Sequence, residues 1–197
     1  DILLPPGGTA QIAIAQLNVS GSTAKGTLDI VDGGFAGDLA IAGGGLSGTL
    51  SLAPQSDMQR ITGTITARDA RLGQQVTVGR GKTDFDVLLD PDGTQIDATA
   101  TARGVRSNGL MLERVAGNVK MRGGDGTLRA SLAGNRGRSF EIQTEVQIHP
   151  DAYVLNAQGT LDGKPIRLTS PARLRHDEAG WHLGKTGFSF AGGDATV

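Results

Sequence analysis

Apolar and polar positions alternate one by one through most of this chain, in runs that restart after each cluster of glycines. In FEIQTEVQIH, residues 140–149, Phe140, Ile142, Val146 and Ile148 fall on one side and Glu141, Gln143, Glu145 and Gln147 on the other. DFDVLLD sets Phe85, Val87 and Leu89 against Asp84, Asp86 and Asp90, and GTLRASLAG sets Leu128, Ala130 and Leu132 against Thr127, Arg129 and Ser131. In ITGTITAR, Ile61, Gly63, Ile65 and Ala67 alternate with Thr62, Thr64, Thr66 and Arg68. A period of two predicts strands with one dry and one wet face.

Turn chemistry recurs about every 8 to 12 residues, the rhythm of an all-β chain. VDGG (31–34), AGGG (42–45), DPDG (90–93), RGGDG (122–126), GNRG (134–137) and LDGKP (161–165) mark predicted turns. All seven prolines fall at the margins of alternating runs, where a residue that cannot donate to a ladder is tolerated. Two stretches read ambiguously. NGLMLERVAGNVKMR (108–122) carries both helical and strand spacing; Gly117 disfavours a helix, so two strand segments with a bulge or turn near Ala116–Gly117 are predicted. SDMQR (56–60) allows a helical turn. The whole of 1–197 reads as one continuous all-β domain, a long sheet growing one strand at a time.

Composition sharpens this picture. Glycine makes up 31 of 197 residues and aromatics only 4%, so the apolar surface has to come from Ile, Val, Leu and Ala. That suits thin β layers better than a thick core. The net charge of −1 gives no electrostatic footprint for nucleic acid. The absence of Cys excludes a disulfide scaffold and a thiolate metal site. No apolar run approaches the ~18 residues of a membrane helix. The chain starts at Asp1 and stops inside an alternating run, FSFAGGDATV, which reads as a piece of a longer protein.

Motifs that carry chemistry elsewhere fail here for lack of context. GGGLSG (43–48) fits the spacing of a dinucleotide loop, but TLSLA follows it where a helix N-terminus is required. GRGKTD (79–84) contains GKT but has Val76 where a phosphate loop needs its first glycine. DPDG lacks the later ligands of a calcium loop and reads as a turn. His149, His176 and His182 lack metal-ligand spacing, and Asp84, Asp86 and Asp90 read as solvated strand-face charges. No catalytic residue, metal site or cofactor is expected, and the protein is not expected to be an enzyme.

The dry face is then the chief candidate for function. Either two halves of the sheet close on each other as a sandwich, or the sheet curls into an open trough with an apolar lining. Small residues at inward positions (Ala13, Ala98, Ala100, Ala102) favour the trough. The expected lining is Phe85, Val87, Leu89, Ile96, Leu128, Leu132, Phe140, Ile142, Val146 and Ile148.

Near the C-terminal end, GTLDGKPIRLTSPARLR (159–175) parses as strand, Asp-Gly turn, strand, proline break and strand. A hairpin closed by DEAG follows, in which Leu174 and Trp181 or Leu183 are available to the dry side. Together with GWHL (180–183) and FSFAGG (188–193), this run resembles the TamB family, the translocation and assembly module subunit related to AsmA-like proteins. The strand-and-glycine rhythm of GTLDIVDG, LSGTLSLA and VAGNVKMRGGDGTLRASLAG is compatible with it.

The resemblance implies an all-β fold, a long curled sheet (a "β-taco") enclosing an apolar groove. It implies a periplasmic protein, anchored to the inner membrane by a segment outside this sequence. The partners it implies are phospholipid acyl chains and, through regions outside this sequence, an Omp85-type outer-membrane protein. The implied function is lipid transport between inner and outer membrane and support of outer-membrane assembly. A structural β-solenoid or sandwich stalk of a surface adhesin, with a filled interior, is the alternative. A glycan-active β-helix would need clustered acidic residues on adjacent strands, which the sequence does not offer.

Overall fold

A computed structural model describes residues 2–3, 10–19, 21–177 and 180–196. Strand accounts for 81% of the described residues, with no helix, in one large curled, unclosed antiparallel sheet. The first nine strands are β1 (Ile2–Leu3), β2 (Gln11–Val19), β3 (Ser22–Val31), β4 (Gly34–Gly43), β5 (Leu46–Gln55), β6 (Met58–Leu72), β7 (Val76–Leu89), β8 (Gln95–Ser107) and β9 (Leu110–Arg122). Then come β10 (Asp125–Asn135), β11 (Ser139–His149), β12 (Ala152–Leu161), β13 (Lys164–Leu168), β14 (Ala172–Asp177), β15 (Gly180–Leu183), β16 (Gly187–Phe190) and β17 (Gly193–Thr196).

From β1 to β12 each strand pairs with the one before and the one after it, a pure meander. The turns predicted from glycine clusters all fall between strands. At β12–β13, Asp162 and Gly163 have φ of 49° and 73°, the two positive values that a two-residue turn matched to strand twist demands. Asn108–Gly109 closes β8–β9 in the same way, with φ of 47° and 78°.

Beyond β12 the sheet forks. The Leu161 end of β12 pairs with β13, while its Ala152 end pairs with β14. β16 and β17 continue the first branch and β15 the second. The proline break at Ser170–Pro171 sends the chain from one branch to the other. The turn predicted at DEAG includes residues 178–179, which lie outside the described residues.

Two local expectations are corrected. SDMQR makes no helical turn: Ser56 and Asp57 form a tight turn and β6 begins at Met58. Residues 110–122 form one strand, whose bulge lies at Glu113 rather than near Ala116–Gly117. Pairing with β10 passes from Arg114↔Ala133 to Leu112↔Gly134, leaving Glu113 over.

The sheet is a single layer over most of its length. Its accessible surface is 12585 Å²; a compact monomer of 20.2 kDa exposes roughly 8,800 Å². Only six apolar residues are buried among those described: Ala24, Leu28, Leu39, Ala70, Val78 and Ala172. Most other apolar side chains in the central strands are half-buried beside their neighbours, and several large ones, Leu17, Leu89, Trp181 and Leu183 among them, are exposed.

Candidate functional site

Strand register joins the apolar positions into rows that run across the strands, along the long axis of the sheet. One row is Gly63–Phe85–Ala98–Val119–Leu128–Val146–Leu155–Ala172. On one side of it runs Ile61–Val87–Ile96–Met121–Gly126–Ile148–Tyr153–Leu174. On the other side lies a row of small residues, Thr83–Ala100–Gly117–Ala130–Thr144–Ala157. Beyond that comes Gly81–Ala102–Val115–Leu132–Ile142–Gly159–Ile166–Phe190. Over β9 to β11 the small row is therefore a furrow between two ridges of larger apolar side chains, Val119, Leu128 and Val146 on one side and Val115, Leu132 and Ile142 on the other.

Of the ten expected lining residues, Phe85, Val87, Ile96, Leu128, Leu132, Ile142, Val146 and Ile148 stand in these rows. Phe140 sits one row further out, opposite Gly134 and Leu161. Leu89 is set apart at the end of β7, opposite Gln59 and 44% exposed. Ala98, Ala100 and Ala102 share the apolar face, but Ala13 does not: it pairs with Thr27 between the apolar pairs Ile12↔Leu28 and Ile14↔Gly26. Trp181 pairs with His176, and Leu183 with Leu174. The Trp181 ring lies tilted against His176, with centroids 4.7 Å apart, and against Tyr153 at 5.9 Å, and stays exposed.

The cavities of the sheet open on the opposite, polar face. One, about 1280 Å³, is bounded by the last apolar row itself and by the residue pairs that flank it on each strand: Arg80 and Lys82, Thr101 and Arg103, Arg114 and Ala116, Ser131 and Ala133, Glu141 and Gln143, Gln158 and Thr160. A second, about 950 Å³, continues it across Asn118, Arg129, Glu145 and Asn156. Six basic and two acidic side chains line the two together (Arg80, Lys82, Arg103, Arg114, Arg129 and Arg167 against Glu141 and Glu145). This trough thus carries a net +4 within a chain of net −1.

Several charges on this face, in the trough and beyond it, are matched by a neighbour on the same or the next strand. Arg129 Nε donates to Glu145 at 2.7 Å, and Lys120 meets Asp97 at 3.1 Å. Arg60 grips Asp86 through both Nε and an Nη, and Asp84 meets Lys82 at 2.8 Å and accepts from Thr64 Oγ1 at 2.6 Å. Lys82 first and Thr64 second hold the Asp84 carboxyl below its ordinary value; Arg60 does the same for Asp86. Asp90, the third acid in that run, accepts from Asp92 N–H in the turn.

The basic side chains at the rim of the trough were not singled out by the sequence. Arg68 stands opposite Arg80, and Arg80 opposite Arg103. Arg114 follows on β9, next to the pair Ala102↔Val115. Each of the four adjoins a backbone irregularity: Asp69 (φ 49°), Gly79, where pairing lapses on both sides, Gly104 (φ 65°) and the bulged Glu113. Past this crease the alternation slips by one residue, so that Ala70 and Val78 are the buried pair where Ala67 and Gly81 keep the earlier phase. Among the described residues no three His, Asp or Glu side chains converge as a metal site. No family model, curated protein or solved structure matches this chain.

Proposed function

We propose that this chain is a lipid-shielding segment of a TamB-like envelope protein. Its apolar face covers phospholipid acyl chains as they pass between inner and outer membrane, in support of outer-membrane assembly. The observation that carries this reading is a continuous apolar face, in register over β6 to β12, that no second layer covers among the described residues. An acyl chain of ~16 carbons loses on the order of 12 kcal/mol on leaving the bilayer, at ~0.8 kcal/mol per CH₂. Only an uninterrupted apolar path offsets a loss of that size. The small-residue row crosses six strands, roughly 24 Å at ~4.8 Å per strand, longer than the ~15 Å half-thickness of a bilayer's hydrocarbon.

An adhesin stalk needs a filled interior, and the six apolar residues buried among those described do not fill one. That comparison favours the lipid reading, which needs no catalytic group, metal or cofactor. Its setting is the periplasm, with the inner-membrane anchor and the contact to an Omp85-type protein supplied by regions outside this sequence.

Native mass spectrometry with lipid extraction tests it. The purified chain should carry phospholipid; Ile142→Asp, on the apolar face, should lose it, and Gln143→Asp, on the polar face, should keep it. A lipid-free chain that takes up no fluorescent phospholipid, or equal capture by the two variants, would set the reading aside.

A further inference from the structure

We infer that the arginine ladder at the rim of the polar trough is a binding site for phosphate groups. Arg68, Arg80, Arg103 and Arg114 occupy successive strands, with Arg80 directly opposite both Arg68 and Arg103. Like charges placed opposite each other weaken a sheet. Several other charged positions on this face, Arg60, Lys82, Lys120 and Arg129, sit beside a carboxylate that balances them. Here, among the described residues, only Arg114 does so, to Glu141 at 3.0 Å. Arg68, Arg80 and Arg103 keep their charges close together with no carboxylate to balance them, which calls for an anion from outside the chain.

Three further features agree. Arg80, Arg103 and Arg114 border the 1280 Å³ cavity, so an anion held between them has room for the rest of its molecule. The crease at Asp69, Gly79, Gly104 and Glu113 follows the ladder strand by strand, and backbone irregularities of this kind serve to re-aim side chains. All four positions are arginine, whose planar fork binds phosphate oxygens two at a time where lysine offers a point charge.

Spacing selects the ligand class. Four strands at ~4.8 Å spread the ladder over roughly 14 Å. One carboxylate would neutralise one guanidinium of four. A run of two or three phosphates, or several adjacent phosphate headgroups, matches both the length and the charge. The site lies on the polar face and stands independently of the lipid reading of the apolar face.

The whole chain is titrated calorimetrically with tripolyphosphate at low salt, and mixed with phosphatidylcholine vesicles with and without phosphatidylglycerol in a flotation assay. Binding of tripolyphosphate alone identifies a free oligophosphate ligand. Flotation only with phosphatidylglycerol identifies headgroups at a membrane surface, and both together support the phosphate site. Arg80→Thr with Arg103→Thr should weaken the observed binding about 100-fold, roughly tenfold per charged hydrogen-bonding group. Arg80→Lys with Arg103→Lys should retain part of it. Lys120→Thr with Arg122→Thr removes the same charge elsewhere on the face, outside the trough, and should change binding less than threefold. Relief of repulsion leaves the threonine pair at least as heat-stable as the parent, so its loss of binding is not unfolding. No binding of either probe, binding unaffected by the threonine pair at Arg80 and Arg103, or an equal loss in the Lys120/Arg122 pair would overturn the proposal.

Discussion

Arg80 on β7 stands directly opposite Arg103 on β8, two like charges in one cross-strand pair, with Arg68 on the other side of Arg80. The pairs on either side of Arg80↔Arg103 are Gly81↔Ala102 and Val78↔Val105, which fix the register. Longer side chains cannot remove the repulsion by a slip of pairing without carrying every apolar residue of both strands to the wrong side. The arginines are held together by the burial pattern of their neighbours.

Replacing Arg80 by Thr should therefore stabilise the sheet. Opposed like charges cost about 0.2–1 kcal/mol, and Thr at this position extends a face already rich in it (Thr64, Thr66, Thr99, Thr101). A rise in melting temperature of one to three degrees is expected at low salt, about the scale for this chain length. In ~1 M NaCl, where screening acts within ~3 Å, the gain from charge removal should shrink toward the intrinsic preference of Thr for strands. A scanning-calorimetry series in salt measures both.

Acid should weaken the fold through the opposite kind of contact. The Asp84 carboxyl, held down by Lys82 and Thr64, and the Asp86 carboxyl, held down by Arg60, have folded-state values below their unfolded ones. Their contribution is present in full above the unfolded value, near ~3.9, and is lost as pH falls through the folded one. Asp84→Asn with Asp86→Asn should lower stability at neutral pH and flatten its decline below the unfolded carboxylate value. Denaturant melts at stepped pH read this out; a parallel decline in parent and variant would assign acid sensitivity to other carboxylates.

Alternation made the strands, the faces and most turns legible, because each hairpin carries its own signal in glycines and period. Phe85, Leu128, Ile142 and Val146 could be assigned to one face on that basis alone. What alternation does not carry is the pairing between hairpins. The crease is invisible for that reason: Asp69 is a non-glycine residue at positive φ, and Gly79 and Gly104 look like any other glycines in a chain that has 31. The arginine ladder depends on register across β6 to β9, including a Gly73 turn that resembles none of the Gly-rich ones. A net charge of −1 averages it away. The fork at β12 is decided by which edge β14 finds, information that lies in no single segment.

Glycines on the apolar face divide into two kinds, and the division is testable within one row. A Cβ at Gly159 would press into the carbonyl oxygen of Glu141 and the Cα of Ile142 on the neighbouring strand, both backbone atoms that cannot swing away. At Gly81 the nearest atoms to an added Cβ lie at 3.4 Å, an ordinary contact. Gly159→Ala should cost about 1–3 kcal/mol, as overpacking does. Gly81→Ala should be neutral or stabilising by up to ~1 kcal/mol, through the reduced freedom of the unfolded chain. Denaturant midpoints for the two variants compare them directly.

Apolar truncation should be costly where the layer is covered and cheap where it is not. Leu39 on β4 is 7% exposed and lies opposite Leu50, beside Leu28, also 7% exposed. Leu132 on β10 lies opposite Val115 and Ile142 and is only half-buried. Truncating a buried leucine costs about 2–5 kcal/mol, transfer and cavity together. In an uncovered layer no closed cavity forms and part of the side chain already faces water, so roughly 1 kcal/mol is expected. Leu39→Ala should then unfold at distinctly lower denaturant than Leu132→Ala. Bound phospholipid should change the two sensitivities unequally. A chain loaded with lipid over the furrow gains a cover at Leu132 but none at Leu39, so lipid should widen the gap between parent and Leu132→Ala while leaving that for Leu39→Ala unchanged. Equal gaps with and without lipid would place the acyl chain elsewhere than over β9 to β11.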